Sequence, residues 1–581
     1  MNIPLQQYWE LLANYIKPQK ARFTLLAVLL LGSIGLQIVN PQIMRYFIDA
    51  VTSGQATETL VVVALGFIGI ALLQQFVSIG AVYVGQNVAW IATNALRADL
   101  ARHCLELDML FHTSHSPGEL IERIDGDVTE LSNFFSQLVI HLPGNLLLLI
   151  GILAILFLEN WRVGMAFTLF VSVTLYALNR VRGLTIVHLK ALRQAHADLF
   201  GFLEERLAGT EDVRSSGAVA FVLYGLYKLQ YAILGHWLKT HRMFVVVGFV
   251  ADMLLTLGNV IAIVAGYCLF RSHAITIGTA YLFVHYINLL GRPIHGLSHQ
   301  VESMQNIGAS TERLAELRRL ESAIQDGPGV DIPAGPMSLA FHDVSFAYTS
   351  EALVLKNLSF QLEPGTVMGL LGRTGSGKTT LARLAFRLYD PTKGRVLLNG
   401  VDIRKARVRD VRRRVAIVTQ DVQLFQASMR DNLTFFDRSI PDGRILAAID
   451  ELELSEWYQS LPDGLDTRLE TNGCGLSAGE AQLLAFARVF LHDPGLVILD
   501  EASSRLDPVT ERRIERAVER LLRDRTAILI AHRLSTVQCA DDIMILEAGK
   551  VVEHGDRERL ASDPTSRFCG LLQAGLGKVP A

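Results

Sequence analysis

Gly372-Arg373-Thr374-Gly375-Ser376-Gly377-Lys378-Thr379 fits the pattern G-x-x-x-x-G-K-[ST]. Such a loop cradles nucleotide phosphates, and its residue types follow from that task. Glycines let backbone N–H groups turn onto phosphate oxygens. Lys378 sets a point charge against the β- and γ-groups, and Thr379 offers a hydroxyl to Mg²⁺. The helix that begins here, with Thr380 in its first turn, aims its positive end at the same anion. A Gly/Ser-rich loop can imitate the bare pattern, but the flanks set this one apart. The apolar run 366–371 predicts a buried strand before the loop, and 380–388 predicts a helix after it. The implied ligands are ATP and Mg²⁺.

Composition places this loop on a membrane chain. Half of the 581 residues are hydrophobic and 19% are charged, with a mean hydropathy of +0.31. The apolar excess lies in the first half, with candidate spans at 23–39, 60–85, 138–158, 161–178, 243–270 and 275–297. Each approaches or exceeds the ~20 residues that cross a bilayer core. One such run alone reads as a buried core helix; six in succession exceed what a soluble domain buries. Lys17, Lys20 and Arg22 precede the first span, and the segment 179–242 carries nine Lys and Arg, whereas 52–58 and 159–160 carry none. Positive charge stays in the cytoplasm, so both termini and everything after the sixth span are expected inside, in an inner or plasma membrane. The first apolar run carries no small-residue cleavage pattern.

The expected division is an N-terminal cytosolic segment (1–22), a transmembrane domain with long cytosolic helical extensions (23–310), a linker (311–337), a nucleotide-binding domain (338–575) and a tail (576–581). The cytosolic loops 87–135 and 179–242 keep helical spacing well beyond a bilayer's width, and each holds a short helix–turn candidate for contact with the ATP domain. In the last half, apolar runs alternate with amphipathic helices, which predicts an α/β domain on a largely parallel sheet. The run Leu496-Val497-Ile498-Leu499 ends in Asp500 and Glu501. Asp500 suits a Mg²⁺ shell, and Glu501 is placed to act as general base on the attacking water. The run 526–531 ends in His532, which can hydrogen-bond a γ-phosphate or hold the base.

These features together resemble the ATP-binding cassette exporters, as a half-transporter with six helical spans fused to one P-loop nucleotide-binding domain. The resemblance covers nearly the whole chain and implies an ATPase coupled to movement of a substance across the membrane. It implies that Tyr348 stacks on adenine and that Gln420 links Mg²⁺ and water to the membrane domain. Leu476-Ser477-Ala478-Gly479-Glu480 takes the signature position, acting on ATP bound by a second subunit, and Asp507 joins the two sites across the dimer. Asp125-Gly126-Asp127 and the 209–213 stretch resemble coupling helices. The residues leave import on the same scaffold, or a non-transporting ATP-gated regulator, as alternatives to export.

The signature departs from the family's LSGGQ at Ala478 and Glu480, and Thr471 with adjacent Glu470 stands where exporters place a coupling glutamate. A Cβ and a carboxylate near a phosphate weaken such a motif. Because a signature serves the opposite site, while this chain keeps Lys378, Gln420, Glu501 and His532, the reading favours a heterodimer over a homodimer. Polar residues inside spans are the candidates for the pathway. They include Asp252 and Asn259 in the fifth span and His285, Asn288, Arg292, His295 and His299 in the sixth. A water-exposed helix end is the simpler reading from Arg292 onward. Net charge is −3 with no basic stripe, which argues against nucleic acid as a partner. The five cysteines show no metal or redox spacing. Partners are therefore membrane lipid, a second half-transporter subunit and a transported substrate whose identity these residues do not specify.

Overall fold

The computed structural model describes residues 13–136, 141–349, 352–420, 422–470, 476–500, 508–531 and 534–576. The chain forms two compact units, one of Met1–Leu105 with Pro117–Leu320 and one of Glu106–Ser116 with Glu321–Ala581.

Among the described residues the first unit is built of helices: α1 (Lys20–Thr52), α2 (Thr57–Glu106), then, after the short α3 (Met109–Ser114) of the other unit, α4 (Pro117–Ile121) and α5 (Val128–Ser136). There follow α6 (Leu142–Glu159), α7 (Trp161–Ala208), α8 (Thr210–Ser215), α9 (Val219–Arg271) and α10 (Ile277–Arg319). Among the described residues, five helices are long and apolar enough to cross a membrane, and the expected sixth span falls on the apolar stretch Ile277–Gly291 at the head of α10. The part of the third expected span at 138–140 lies outside the described residues. Leu, Val, Ile and Phe cover these helices on most sides, which suits a lipid solvent. With 53 residues, α9 runs about 80 Å at 1.5 Å per residue, more than twice a hydrocarbon core of about 30 Å. Helices α2, α7 and α9 thus run on well past a bilayer's width, as the spacing in the sequence predicts.

Polar ties fasten both ends of this unit. Near the C-terminal end of α1, Arg45 pairs with Glu159. Asp49 accepts from the Thr276 hydroxyl at 2.7 Å and from the Gly278 amide at 2.9 Å, so it caps the start of α10. At the other end of α10, Arg313 grips the buried carboxylate of Asp127 through Nε at 2.9 Å and through Nη2. His103 Nε2 meets the Leu317 carbonyl at 3.0 Å. Asp127 closes a π-helical turn, Glu122–Asp127. Asp127, in the stretch expected to resemble a first coupling helix, thus forms an ion pair within the helical unit. Glu106–Ser116, ten to twenty residues earlier, is what groups with the ATP domain.

In the second unit, a four-stranded antiparallel sheet of order β2-β1-β4-β5 comprises β1 (Leu339–Phe346), β2 (Leu355–Leu362), β4 (Lys393–Leu398) and β5 (Val401–Asp402). A six-stranded sheet of order β10-β9-β3-β8-β7-β6 comprises β3 (Val367–Leu371), β6 (Val415–Val418), β7 (Leu496–Asp500), β8 (Thr526–Ile530), β9 (Asp542–Glu547) and β10 (Lys550–Asp556). All of its neighbours pair in parallel except β10 with β9. β3 and β8 are buried at every position. That is why they read as unbroken apolar runs: helices cover both faces of a parallel sheet. Those helices include α11 (Lys378–Ala385), α12 (Val408–Arg414), α13 (Met429–Thr434), α14 (Asp442–Glu451), α15 (Ser455–Gln459), α16 (Ala478–His492) and α17 (Pro508–Leu522). One core gathers Leu483, Phe486, Leu499 and Leu529; the other gathers Phe341, Met368, Leu381 and Ile528 on the opposite face.

Candidate functional site

The ends of four parallel strands build the site. Register pairs Leu370 of β3 with Ile530 of β8, Ile530 with Asp500 of β7, and Leu499 with Val418 of β6. The phosphate loop after β3, Asp500 at the tip of β7 and Gln420 just beyond β6 therefore leave one C-terminal sheet edge, where open α/β sheets bind ligands. Glu501 and His532 follow in sequence on β7 and β8 but lie outside the described residues, as does Asp507.

Within the loop, Gly372 and Gly377 hold φ of +151° and +106°. A Cβ on Gly372 would stand 2.3 Å from the Leu546 carbonyl oxygen, and one on Gly377 would stand 2.6 Å from Leu355. No other residue fits either position, so the glycines are demanded by the cradle itself. Lys378 is buried, and its Nζ donates to the carbonyls of Gly372 at 2.7 Å and Arg373 at 3.2 Å. The ammonium is thereby held against the first residues of the loop. The hydroxyl of Ser376 is buried without a hydrogen-bond partner, whereas Arg373, Thr374, Gly375 and Thr379 are exposed. A tight glycine cradle, a fixed cation, a buried hydroxyl with no partner among the described residues and an exposed threonine form a donor set that fits a nucleotide polyphosphate with its Mg²⁺.

Tyr348 stands beside this loop. Its hydroxyl lies 3.1 Å from Thr380 Oγ1 and accepts from Arg383 at 3.3 Å. Its ring is half-buried and edge-on to Phe346 and Tyr389, with centroids 4.9 and 5.1 Å away. The structure brings the expected aromatic next to the phosphate-binding helix, with its hydroxyl engaged by that helix.

The altered signature has a local cause. α16 begins at Ala478, inside the motif itself. Ser477 is the N-cap: its Oγ accepts from the Glu480 amide at 3.2 Å, while Glu480 Oε2 accepts from the Ser477 amide at 2.7 Å. This reciprocal capping box satisfies two of the helix's orphan donors with side chains of the motif. The S-x-x-E spacing was its signal in the sequence. Gly479 is buried and Ser477 exposed.

Two more residues matter that sequence reasoning missed. Arg488 of α16 is 8% exposed, and its guanidinium donates to the carbonyls of Asn432 at 2.7 Å and Gln423 at 3.1 Å while lying 4.6 Å from the Phe435 ring centroid. Burial pulls its pKa down to about 10. It ties the signature helix to the chain three residues past Gln420, at the floor of a groove of about 380 Å³ rimmed by the exposed Phe425 and Phe435. Asp108 caps α3, accepting from Leu110 and Phe111 amides at 3.0 and 3.1 Å, and its other oxygen accepts from the Ala323 amide at 2.7 Å. Neither residue carries a pattern that distinguishes it in sequence from a solvated surface charge.

Comparison with known proteins identifies the family. The family model described as ABC transporter matches residues 355–504, and the model described as ABC transporter transmembrane region matches 23–294. An ATP-dependent lipid A-core flippase of Thiobacillus denitrificans is 30% identical, over 94% of this chain and 94% of the relative. A fatty acid ABC transporter ATP-binding/permease protein of Mycobacterium bovis is also 30% identical, over 80% of this chain and 74% of the relative. The fold is that of a bacterial Atm1-family ABC exporter solved with ATP bound, at a TM-score of 0.80 and 23% identity, with 97% of this chain and 99% of that chain covered. With a helical membrane region and a phosphate-loop cassette fused in one polypeptide, the chain belongs to the ABC transporter family, as a half-transporter of the exporter type.

Proposed function

We propose that this protein exports a substrate across the membrane at the expense of ATP, as one half of a heterodimer with its cassette in the cytosol. The convergence of the phosphate loop, Asp500 and Gln420 on one sheet edge carries the reading. In this scheme Lys378 and the loop amides hold the β- and γ-phosphates, and Tyr348 stacks on adenine. Thr379, Gln420 and Asp500 hold Mg²⁺, which neutralises charge that develops on the transferred phosphoryl group. Glu501 takes the proton from the attacking water, and His532 fixes water and base. Ser477, Gly479 and Glu480 face ATP bound by the other subunit, and Asp507 links the two sites. Nucleotide held between two cassettes favours the closed pair by direct contact, and its hydrolysis removes that contact, which is the differential binding a switch requires.

The heterodimer follows from the capping box. Glu480 holds a carboxylate at the N-terminus of α16, where a neutral amide would leave the helix's positive end to an incoming phosphate. This chain thus offers a complete catalytic set and a self-occupied signature. Purification of the chain alone as a two-fold dimer with full, substrate-stimulated ATPase would reverse this assignment.

The coupling is testable at Asp108. α3 continues from the membrane-spanning α2 and is held in the cassette's unit by the Asp108–Ala323 bond. Asp108→Ala removes a cap worth about 1 kcal/mol together with that bond. Transport per ATP hydrolysed, in proteoliposomes, is expected to fall several-fold while basal ATPase stays within about twofold. An unchanged transport-to-ATPase ratio would remove α3 from the coupling path.

A further inference from the structure

Export needs the helical bundle to open at the end opposite the one where the chain runs on into the cassette, and something must hold that outer end shut between cycles. α1 changes neighbours along its length. Its early turns pack on α2 through Leu26, Leu29 and Leu30 against Ala81 and Val84, all apolar. Among the described residues, α1 makes polar bonds to other helices only from Ile38 onward. There the partners are α6 and the head of α10.

Tyr286 of α10 is fully buried. Its hydroxyl donates to the Ile38 carbonyl at 2.9 Å and accepts from Gln42 Nε2 at 3.2 Å. One turn on, Arg45 donates to Gln42 Oε1 at 3.4 Å and pairs with Glu159, the last residue of α6. A further turn on, Asp49 holds the Thr276 hydroxyl and the Gly278 amide. Spacings of three and four residues put Gln42, Arg45 and Asp49 on one face of α1. Backbones come close here. A Cβ added to Gly278 would stand 2.4 Å from the Arg45 carbonyl oxygen, and one added to Gly151 of α6 would stand 2.5 Å from Ile38 Cδ1. The 43 residues of α10 put this cluster about 64 Å along the helix from its cassette end, at 1.5 Å per residue.

Two properties suit these bonds to a latch rather than a fixed brace. Apolar contacts between membrane helices exchange for lipid with little change in free energy, so polar bonds decide which helix ends stay together. Arg45, Asp49 and Glu159 are also only half-buried, beside the exposed turn 52–56 and the helix break at Asn160. Parting would place these charges in water, where an ion pair is worth little, so closed and open arrangements lie close in free energy. A hinge is present too. Pro41, buried inside α1, has no N–H and leaves the Gln37 carbonyl without its helical donor. α1 can therefore bend between its α2-bound and its α6/α10-bound parts.

We propose that Gln42, Arg45 and Asp49 of α1, with Glu159, the Thr276–Gly278 turn and Tyr286, form an outer latch that releases when ATP drives the transporter outward-facing. The proposal rests on the transport reading. Its test is hydrogen exchange, followed by mass spectrometry, on the full-length protein with its partner subunit in nanodiscs. Peptides spanning 42–52 and 274–286 are followed, and the Gly278 amide, bonded to Asp49, reports the latch directly. In wild type these peptides are expected to exchange about tenfold faster with Mg-ATP and vanadate than without nucleotide. Arg45→Gln is expected to show the faster exchange already without nucleotide. Combining Arg45→Glu with Glu159→Arg is expected to restore protection to within about threefold of wild type. Equal exchange with and without vanadate in wild type overturns the proposal and leaves a static brace. So does wild-type exchange in Arg45→Gln, or no recovery in the charge swap. Faster nucleotide-free exchange of β3 and β8 in Arg45→Gln would assign Arg45 to overall folding and overturn it as well. Mg-ATPase on the same samples separates the two readings: its absence in wild type defeats the transport reading, whereas nucleotide-free exchange of Arg45→Gln against wild type decides whether the ion pair holds the outer end.

Discussion

Lys378→Ala is expected to lower the Mg-ATPase rate of the reconstituted protein by roughly 10²–10³-fold, the usual effect of removing a preorganised charge from a reacting oxyanion. The reason is specific to the loop. Lys378 Nζ is the one side-chain cation that the backbone holds inside the cradle, through the carbonyls of Gly372 and Arg373. No neighbouring group on the loop replaces it, since Arg373 is exposed at the loop's surface. The same two bonds set the structural consequence. Losing them costs about 1 kcal/mol each, which a cassette with two extensive apolar cores tolerates. Activity should therefore collapse while the melting temperature of the protein moves by only a few degrees. A variant that hydrolyses ATP within threefold of the parent would show that the octet is not the phosphate site.

Arg488→Ala is expected to act in the opposite manner, through stability. Its guanidinium serves the Asn432 and Gln423 carbonyls and lies against Phe435, with no carboxylate partner among the described residues. Truncation leaves those buried acceptors unpaired and opens a void beneath α16, together about 3–5 kcal/mol. For a domain of this size that corresponds to roughly a 10 °C fall in the cassette's melting temperature. Arg488→Lys keeps the charge but cannot span both carbonyls with one ammonium, so an intermediate shift is expected. Thermal unfolding of the purified full-length protein measures both. A shift below 2 °C for Arg488→Ala would mean that the groove does not depend on this tie.

Much of this architecture was legible because the relevant signals are local. The octet's glycines, the unbroken apolar runs of β7 and β8, and the membrane helices announce themselves through spacing or hydropathy alone. The strand before the phosphate loop and the helix after it fall within a few residues of the expected positions. What was not legible depends on tertiary contact. The antiparallel β2-β1-β4-β5 sheet has a mixed pattern of buried and exposed positions, and β2 reads as an ordinary amphipathic segment. Arg387 and Arg488 are buried cations whose partners are mainly backbone carbonyls, and a sequence does not reveal a backbone carbonyl as a partner. Asp127 lies in the stretch that resembles a coupling helix, and its ion pair depends on a residue far along the chain. That partner, Arg313, is 186 residues away. The capping box was the reverse case: the Ser477–Glu480 spacing was visible but was read only as a defect in a phosphate contact.

The central claim is that water attacks ATP beside the carboxylate that follows Asp500, at the edge where β3, β8, β7 and β6 end. Glu501→Gln keeps shape and hydrogen bonding while removing the base. The decisive measurement is steady-state Mg-ATPase of the reconstituted complex alongside its retained nucleotide. The expected result is a rate at least roughly 100-fold below the parent, with unhydrolysed ATP held stably by the protein. Turnover at the parental rate, or failure of parent and variant alike to hold Mg-ATP, contradicts the account.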